Sequence, residues 1–294
     1  MSAAAPQVLI PIDFSDQSLL ALDQSPRLAK FYNARLTLLY VIDDGNALNK
    51  VLKMKTIEPE VKKKIHEKLD ELAATVSKKY GVEVNTVIAQ GRVYDKILTQ
   101  AEKIDAKLII MGTNGAKKGL KKRFIGSNAF KVVRDAECPV ITIKGQNIRK
   151  GCKNILLPID LSKESREKVK NAIELGKLYG ATIHVVSTLF VLDKASAAQL
   201  TIQVNHVKKF IEDAGVKCTT ELVKAVKGKE TLAESIIHYA NKIDADLIIL
   251  MTQQEGQRKP LFIGSTAQDI INNSDVPVMS IVPSVKRATN FSPY

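Results

Sequence analysis

VLIPIDFSDQS (Val8–Ser18) returns further down the chain as ILLPIDLSKES (Ile155–Ser165). Pro11, Ile12, Asp13 and Ser15 are answered by Pro158, Ile159, Asp160 and Ser162, each 147 positions later. A second pair, FIGSNAFKVVRDAECPVITI (Phe124–Ile143) and FIGSTAQDIINNSDVPVMSI (Phe262–Ile281), stands at a spacing of 138. The order of the matches is kept, so the chain reads as a tandem duplication whose second copy has lost about nine residues from its middle. A domain of residues 1–147 and another of residues 148–294 follow from that spacing.

Each copy alternates strand and helix. Val8–Ile12 is a short apolar run that predicts a buried strand, and a serine at 15 or 18 can cap a helix reaching Tyr32. Ala34–Ile42, Val82–Ala89, Lys107–Met111 and Pro139–Ile143 are the further expected strands of the first copy. Between them, Val61, Ile65, Leu69, Leu72, Val76 and Tyr80 step by three or four, one stripe of an amphipathic helix over Glu58–Tyr80. Val93–Ile104 and Ser127–Asp135 are the other helices. In the second copy the strands fall near Asn154–Ile159, Ala181–Thr188, Lys217–Val223, Leu247–Met251 and Val278–Val282. Strands that are apolar throughout and separated by helices imply parallel sheets covered on both faces, so the expected class is α/β with two five-stranded, Rossmann-like domains. In such sheets ligands bind beyond the carboxyl ends of strands, where the strand order reverses.

Composition narrows the partners. At 294 residues with 45% hydrophobic content the chain can bury two cores. No apolar run reaches the roughly 18 residues of a membrane span. The start, MSAAAPQVLIPID, lacks the basic and apolar segments of a signal peptide. Cys138, Cys152 and Cys218 are scattered without paired spacing, which fits a reducing cytoplasm and no disulfide or zinc framework. The net charge of +13 is uneven, with residues 1–150 carrying 26 Lys+Arg against 16 Asp+Glu, a net of +10. A basic half suits an anionic ligand, nucleic acid or a membrane surface, and equally a plain lysine-rich surface.

The chemistry concentrates in MGTNGAKKGLKKRFIGSNAF (Met111–Phe130). Gly112 follows the fourth strand, Gly115 stands three on, and Gly126-Ser127 opens a helix. Glycines admit an anion close to the backbone, and a helix start offers free N–H groups and positive potential. Lys117, Lys118, Lys121, Lys122 and Arg123 would draw a phosphate in. A tight turn at Gly112 and Gly115, and a simple cap at Gly126-Ser127, account for the same residues without a ligand. Neither GxxxxGK followed by Ser or Thr, nor GxGxxG, is present.

With these pieces in order, twice, the chain resembles a tandem universal stress protein. PIDFS, IIMGTNG, GS and CPVITI carry the resemblance in the first copy, and PIDLS, GS and VPVMSI in the second. The resemblance implies five-stranded parallel domains fused head to tail and packed as an internal pseudo-dimer, with Pro139–Ile143 near Val278–Val282; a homodimer is a further option. The family's nucleotide-binding branch holds ATP with G-x2-G-x9-G followed by Ser or Thr. Carried over, Asp13, with Pro11 and Ile12 beside it, would meet the adenine or ribose end. Val41 would meet adenine through its backbone. Gly112, Gly115, Gly126 and Ser127 would wrap the phosphates, Mg2+ accompanying them, and Gly91 would flank the site. Ten residues, not nine, separate Gly115 from Gly126.

The second copy has Met251 where the first has Gly112, Gln254 for Gly115 and Thr188 for Val41, while Gly264-Ser265 and Asp160 persist. It is therefore expected to be nucleotide-free, a scaffold or interaction surface. Three function classes follow. The first is a stress or regulatory protein binding an adenine nucleotide in its first domain. The second is an enzyme, at most a slow ATPase, since His66, His184, His206 and His238 are dispersed and no triad or HExxH is present. The third is a nucleotide-free module acting through an unidentified protein partner. Nucleic acid is disfavoured by the absence of Trp and of an aromatic-basic stripe.

Overall fold

A computed structural model describes residues 5–43, 59–113, 125–144, 151–160, 166–189, 194–225, 229–252 and 263–282. The chain divides into two compact units, Met1–Ile148 and Arg149–Tyr294. Unit 1 holds β1 (Gln7–Pro11), α1 (Asp16–Phe31), β2 (Arg35–Ile42), α2 (Pro59–Tyr80), β3 (Val84–Gln90), α3 (Val93–Lys103), β4 (Ala106–Gly112), α4 (Ser127–Asp135) and β5 (Val140–Ile143). Unit 2 holds β6 (Asn154–Ile159), α5 (Arg166–Tyr179), β7 (Thr182–Leu189), α6 (Lys194–Asp213), β8 (Cys218–Lys224), α7 (Leu232–Lys242), β9 (Leu247–Met251), α8 (Ser265–Asn273) and β10 (Val278–Ile281). The expected strands and helices are found within one or two residues of these bounds.

In unit 1 the strands lie in the order β3-β2-β1-β4-β5, all parallel. The strands of unit 2 repeat that order as β8-β7-β6-β9-β10. The order reverses between β1 and β4, and again between β6 and β9, so each unit has one switch point. Helices α1 and α2 touch each other, as do α3 and α4, which matches the two covered faces that right-handed crossovers produce. Leu9, Ile10, Leu36, Leu38, Leu39, Leu108, Ile109 and Ile110 are all below 2% exposed. Each such side chain contributes about 1.5–3 kcal/mol of burial to the core.

Two helices depart from their sequence patterns for local reasons. α1 continues through Pro26, which cannot donate to Leu22; the Ser25 hydroxyl donates to that carbonyl instead, at 2.8 Å. α2 buries Leu69, Ala73 and Val76 but leaves Val61 at 45% exposed, so the apolar stripe is covered only in its later turns. A helix of 22 residues spans roughly 33 Å, whereas the seven-residue β3 beneath it spans roughly 23 Å, and the first turns overhang.

His184 shows how the amino edge of the second sheet is fixed. The Asn154 amide nitrogen donates to Ile243 and Asp244 carbonyls, which leaves its Oδ1 as acceptor. The neutral imidazole of His184 therefore donates from Nε2 to Asn154 (3.2 Å) and accepts at Nδ1 from the Thr219 hydroxyl (2.7 Å). Burial lowers the His184 pKa from its ordinary 6.5. The folded state thus binds fewer protons than the unfolded one just below that value, and stability falls as pH drops through 6.5. Comparing urea midpoints of the wild type and His184→Gln between pH 5 and 8 checks this. The wild type is expected to lose stability relative to the variant below about pH 6.5, with no pH dependence of the difference above pH 7.5.

Candidate functional site

The switch point opens because a ladder stops early. β1 pairs with β4 only as far as Leu9↔Ile109, although β1 stays in register with β2 to Pro11↔Leu39 and β4 with β5 to Gly112↔Ile143. The Ile12 N–H donates to Leu39, so even-numbered residues of β1 face β2 and Pro11 faces β4. A proline there has no N–H for the ladder, and the two strands part. Unit 2 repeats this: β6 pairs with β9 only to Leu156↔Ile248, while Pro158 remains in register with Val186 of β7. The Asn154 carbonyl accepts from Asp246, so by the same alternation Pro158 faces β9.

Past the end of β1 the chain turns tightly. Asp13 Oδ1 accepts from the Ser15 backbone N–H at 3.0 Å and from the Ser15 hydroxyl. Phe14 between them takes φ 58, a left-handed conformation uncommon for a large side chain. Its ring rests 5.4 Å from that of Tyr40, with the Lys68 ammonium 4.5 Å from the Phe14 ring centre. Ser15 then caps α1 by accepting from the Ser18 N–H. Asp13 is exposed, and the register of β1 against β2 sets it level with Val41, which in turn pairs with Ala89 of β3. Ile12 is buried and Pro11 half-buried beneath them. Gly91 follows β3 with φ 142 and donates its N–H to the Ile42 carbonyl at 3.0 Å. That φ requires glycine for the backbone alone. In unit 2, Ala225 makes the equivalent bond to Leu189 at 2.8 Å without a positive φ.

Gly112 has a second reason to be glycine. A Cβ there would stand 2.7 Å from Gln17 Cβ and 2.9 Å from the Gln17 carbonyl carbon, so the first turn of α1 lies directly on it. Thr113, 2% exposed, donates its N–H to Ile143 and accepts the Gly126 N–H at 2.7 Å. That bond brings the start of α4 to the end of β4. Gly126 is the N-cap and makes no side-chain cap, which leaves Ser127 as the first helical residue, exposed, with no acidic residue in the first turn. Pro11, Ile12, Asp13, Val41, Gly91, Gly112, Gly126 and Ser127 therefore share the carboxyl edge of the first sheet. Gly115 and Lys117–Arg123 lie outside the described residues, as does Gln254.

The second edge is built differently. Thr252 and Gly264 repeat the bond between strand end and helix start at 2.9 Å, and α8 likewise begins without a side-chain cap. Lys168 of α5 is only 7% exposed, and its ammonium donates to the Pro158 carbonyl at 2.8 Å. Ala21 holds that position in the first copy. The Ser187 hydroxyl, where the first copy has Tyr40, donates to Ile159 at 2.9 Å. Asp160 is exposed and Met251 half-buried. Sequence reading missed Phe14, Gln17, Thr113 and Lys168. Only Lys168 left a signal, a charged residue opposite an alanine when the copies are aligned.

Other reactive groups lie apart from these edges. Burial pushes the Cys138 thiol up to about 12 and that of Cys218 to about 11, so neither supplies a thiolate near neutral pH. Among the described residues no group of three or more His, Cys, Asp or Glu is placed to hold a metal ion, and no helix is long and apolar enough to cross a membrane.

The universal stress protein family is matched twice, at residues 6–144 and 151–281. Universal stress protein MJ0531 of Methanocaldococcus jannaschii is 32% identical over 140 residues, covering 47% of this chain and 81% of that protein. Universal stress protein YxiE of Bacillus subtilis is 33% identical over 150 residues, covering 47% and 98%. A universal stress protein from Archaeoglobus fulgidus shares the fold along nearly the whole chain, with TM-score 0.76 at 22% identity, covering 96% of this chain and 98% of that one. Two repeats of one parallel α/β unit, each matched by the same family, make this chain a tandem member of the universal stress protein family.

Proposed function

We propose that the first copy holds an adenine nucleotide, ATP by the family resemblance, at the carboxyl edge of its sheet. In this reading the second copy holds none, and the chain is a nucleotide-responsive regulatory protein. Mg2+ accompanies the triphosphate, and no side chain is assigned a catalytic step. The observation that supports this most is the start of α4. It is uncapped, free of acidic residues in its first turn, and tied through Thr113 to the lip of the gap between β1 and β4. Its first N–H groups have no intrahelical partners, and the helix dipole favours an anion there. Where the second copy has Lys168, α1 carries the short, fully buried Ala21.

The obvious glycine variant is a poor probe of the ligand. Gly112→Ala is expected to destabilise the protein by about 1–3 kcal/mol through its contact with Gln17, measured by urea denaturation without nucleotide.

Ser127→Asp separates fold from ligand. An acidic residue in the first turn of α4 leaves stability unchanged or raises it by about 0.3–1 kcal/mol. The same charge repels a phosphate and removes a hydroxyl donor, so ATP affinity falls about tenfold to hundredfold by isothermal titration. Ser265→Asp, its counterpart in the second copy, leaves ATP binding unchanged. No saturable binding by the wild type, or equal affinity in Ser127→Asp, defeats the proposal.

A further inference from the structure

We propose that Lys168 is a built-in plug of the second switch-point gap, and that it, more than the loss of loop glycines, keeps nucleotide out of the second copy. The inference rests on the nucleotide reading of the first copy. Its geometry stands independently.

The Pro158 carbonyl points toward β9, on the side where the ladder has already ended at Leu156↔Ile248. A ligand entering between β6 and β9 would meet that carbonyl. Instead the Lys168 ammonium lies 2.8 Å from it, on a side chain 7% exposed. α5 lies across β6, β7 and β9, so the side chain reaches the gap from the helix that covers it. The four-carbon stem fills volume and the ammonium satisfies an oxygen that β9 leaves unladdered. At the same position the first copy has Ala21. The second gap is therefore closed from its floor by the Lys168 side chain. Met251, at the end of β9, stands at its lip.

The full chain tests this with ATP by isothermal titration. Met251→Gly with Gln254→Gly restores the glycines and is expected to leave the stoichiometry at that of the wild type, one per chain. Adding Lys168→Ala is expected to create a second site; Lys168→Ser serves where the alanine variant does not fold. A second site in the glycine pair alone, in the wild type, or in neither variant overturns the inference. If the wild type binds nothing, the first-copy reading fails. Lys168 is then judged by whether the triple variant binds where the glycine pair does not. Acylation of the native wild type by a water-soluble reagent, read by mass spectrometry, supplies an arm without mutation. Lys168 is expected to react at least about tenfold more slowly than exposed Lys170, because its amine reacts only through local opening. Equal rates overturn the plug.

Discussion

A missing N–H at Pro11, and again at Pro158, shapes both carboxyl edges. Every other strand pair in each sheet runs to its natural end, but the central pair cannot continue past a residue with nothing to donate. A net hydrogen bond contributes only about 0.5–1.5 kcal/mol, so losing one rung is tolerable in a sheet this well buried. Strand order decides where the lost rung falls. Because the first strand lies between the second and the fourth, the proline opens a gap at the one point where the crossovers diverge to opposite sides.

The duplication works as an internal control, and the structure changes what it controls for. By sequence alone, a glycine kept in one copy and lost in the other suggests a ligand. The packing of Gln17 on Gly112 shows a competing cause, since a helix turn that close to a strand end demands glycine with or without a nucleotide. The Gly-Ser pair, kept in both copies, has its own fold-level cause. The N–H of Gly126 or Gly264 closes onto the threonine carbonyl that follows the fourth strand.

Much of the fold was legible because each level of the sequence agreed with the next. Apolar runs, helical stripes and repeat spacing all pointed to the same alternation, and the strands appear where they were expected. Features set by three-dimensional neighbours were not legible. The left-handed backbone of Phe14 depends on the hydrogen bonds between Asp13 and Ser15 around it and on the Tyr40 ring beside it. Helix α1 runs through Pro26 because a serine hydroxyl happens to reach the freed carbonyl. Val61 obeys the helical stripe yet remains exposed because its helix outruns the strand below. Alignment of the copies sets Lys168 opposite an alanine, but its burial against the Pro158 carbonyl shows only in the fold.

The treatment of helix starts sharpens the contrast between the copies. α1 is capped by Ser15, and α7 by a full capping box in which Thr231 and Glu234 exchange bonds. The helices α4 and α8 begin at glycines without side-chain caps. An N-cap hydroxyl is worth about 1 kcal/mol, and both copies forgo it at the same place. Since the closing bond to threonine is common to both, an open helix start is inherited with the fold and cannot by itself distinguish a binding copy from an empty one. The copies differ in kind at the aligned positions 21 and 168, with a buried alanine in one and a buried ammonium in the other. On the proposed reading, a duplicated binding fold loses a ligand without rebuilding its anion-binding end, by placing one long side chain against the carbonyl that its proline leaves unladdered.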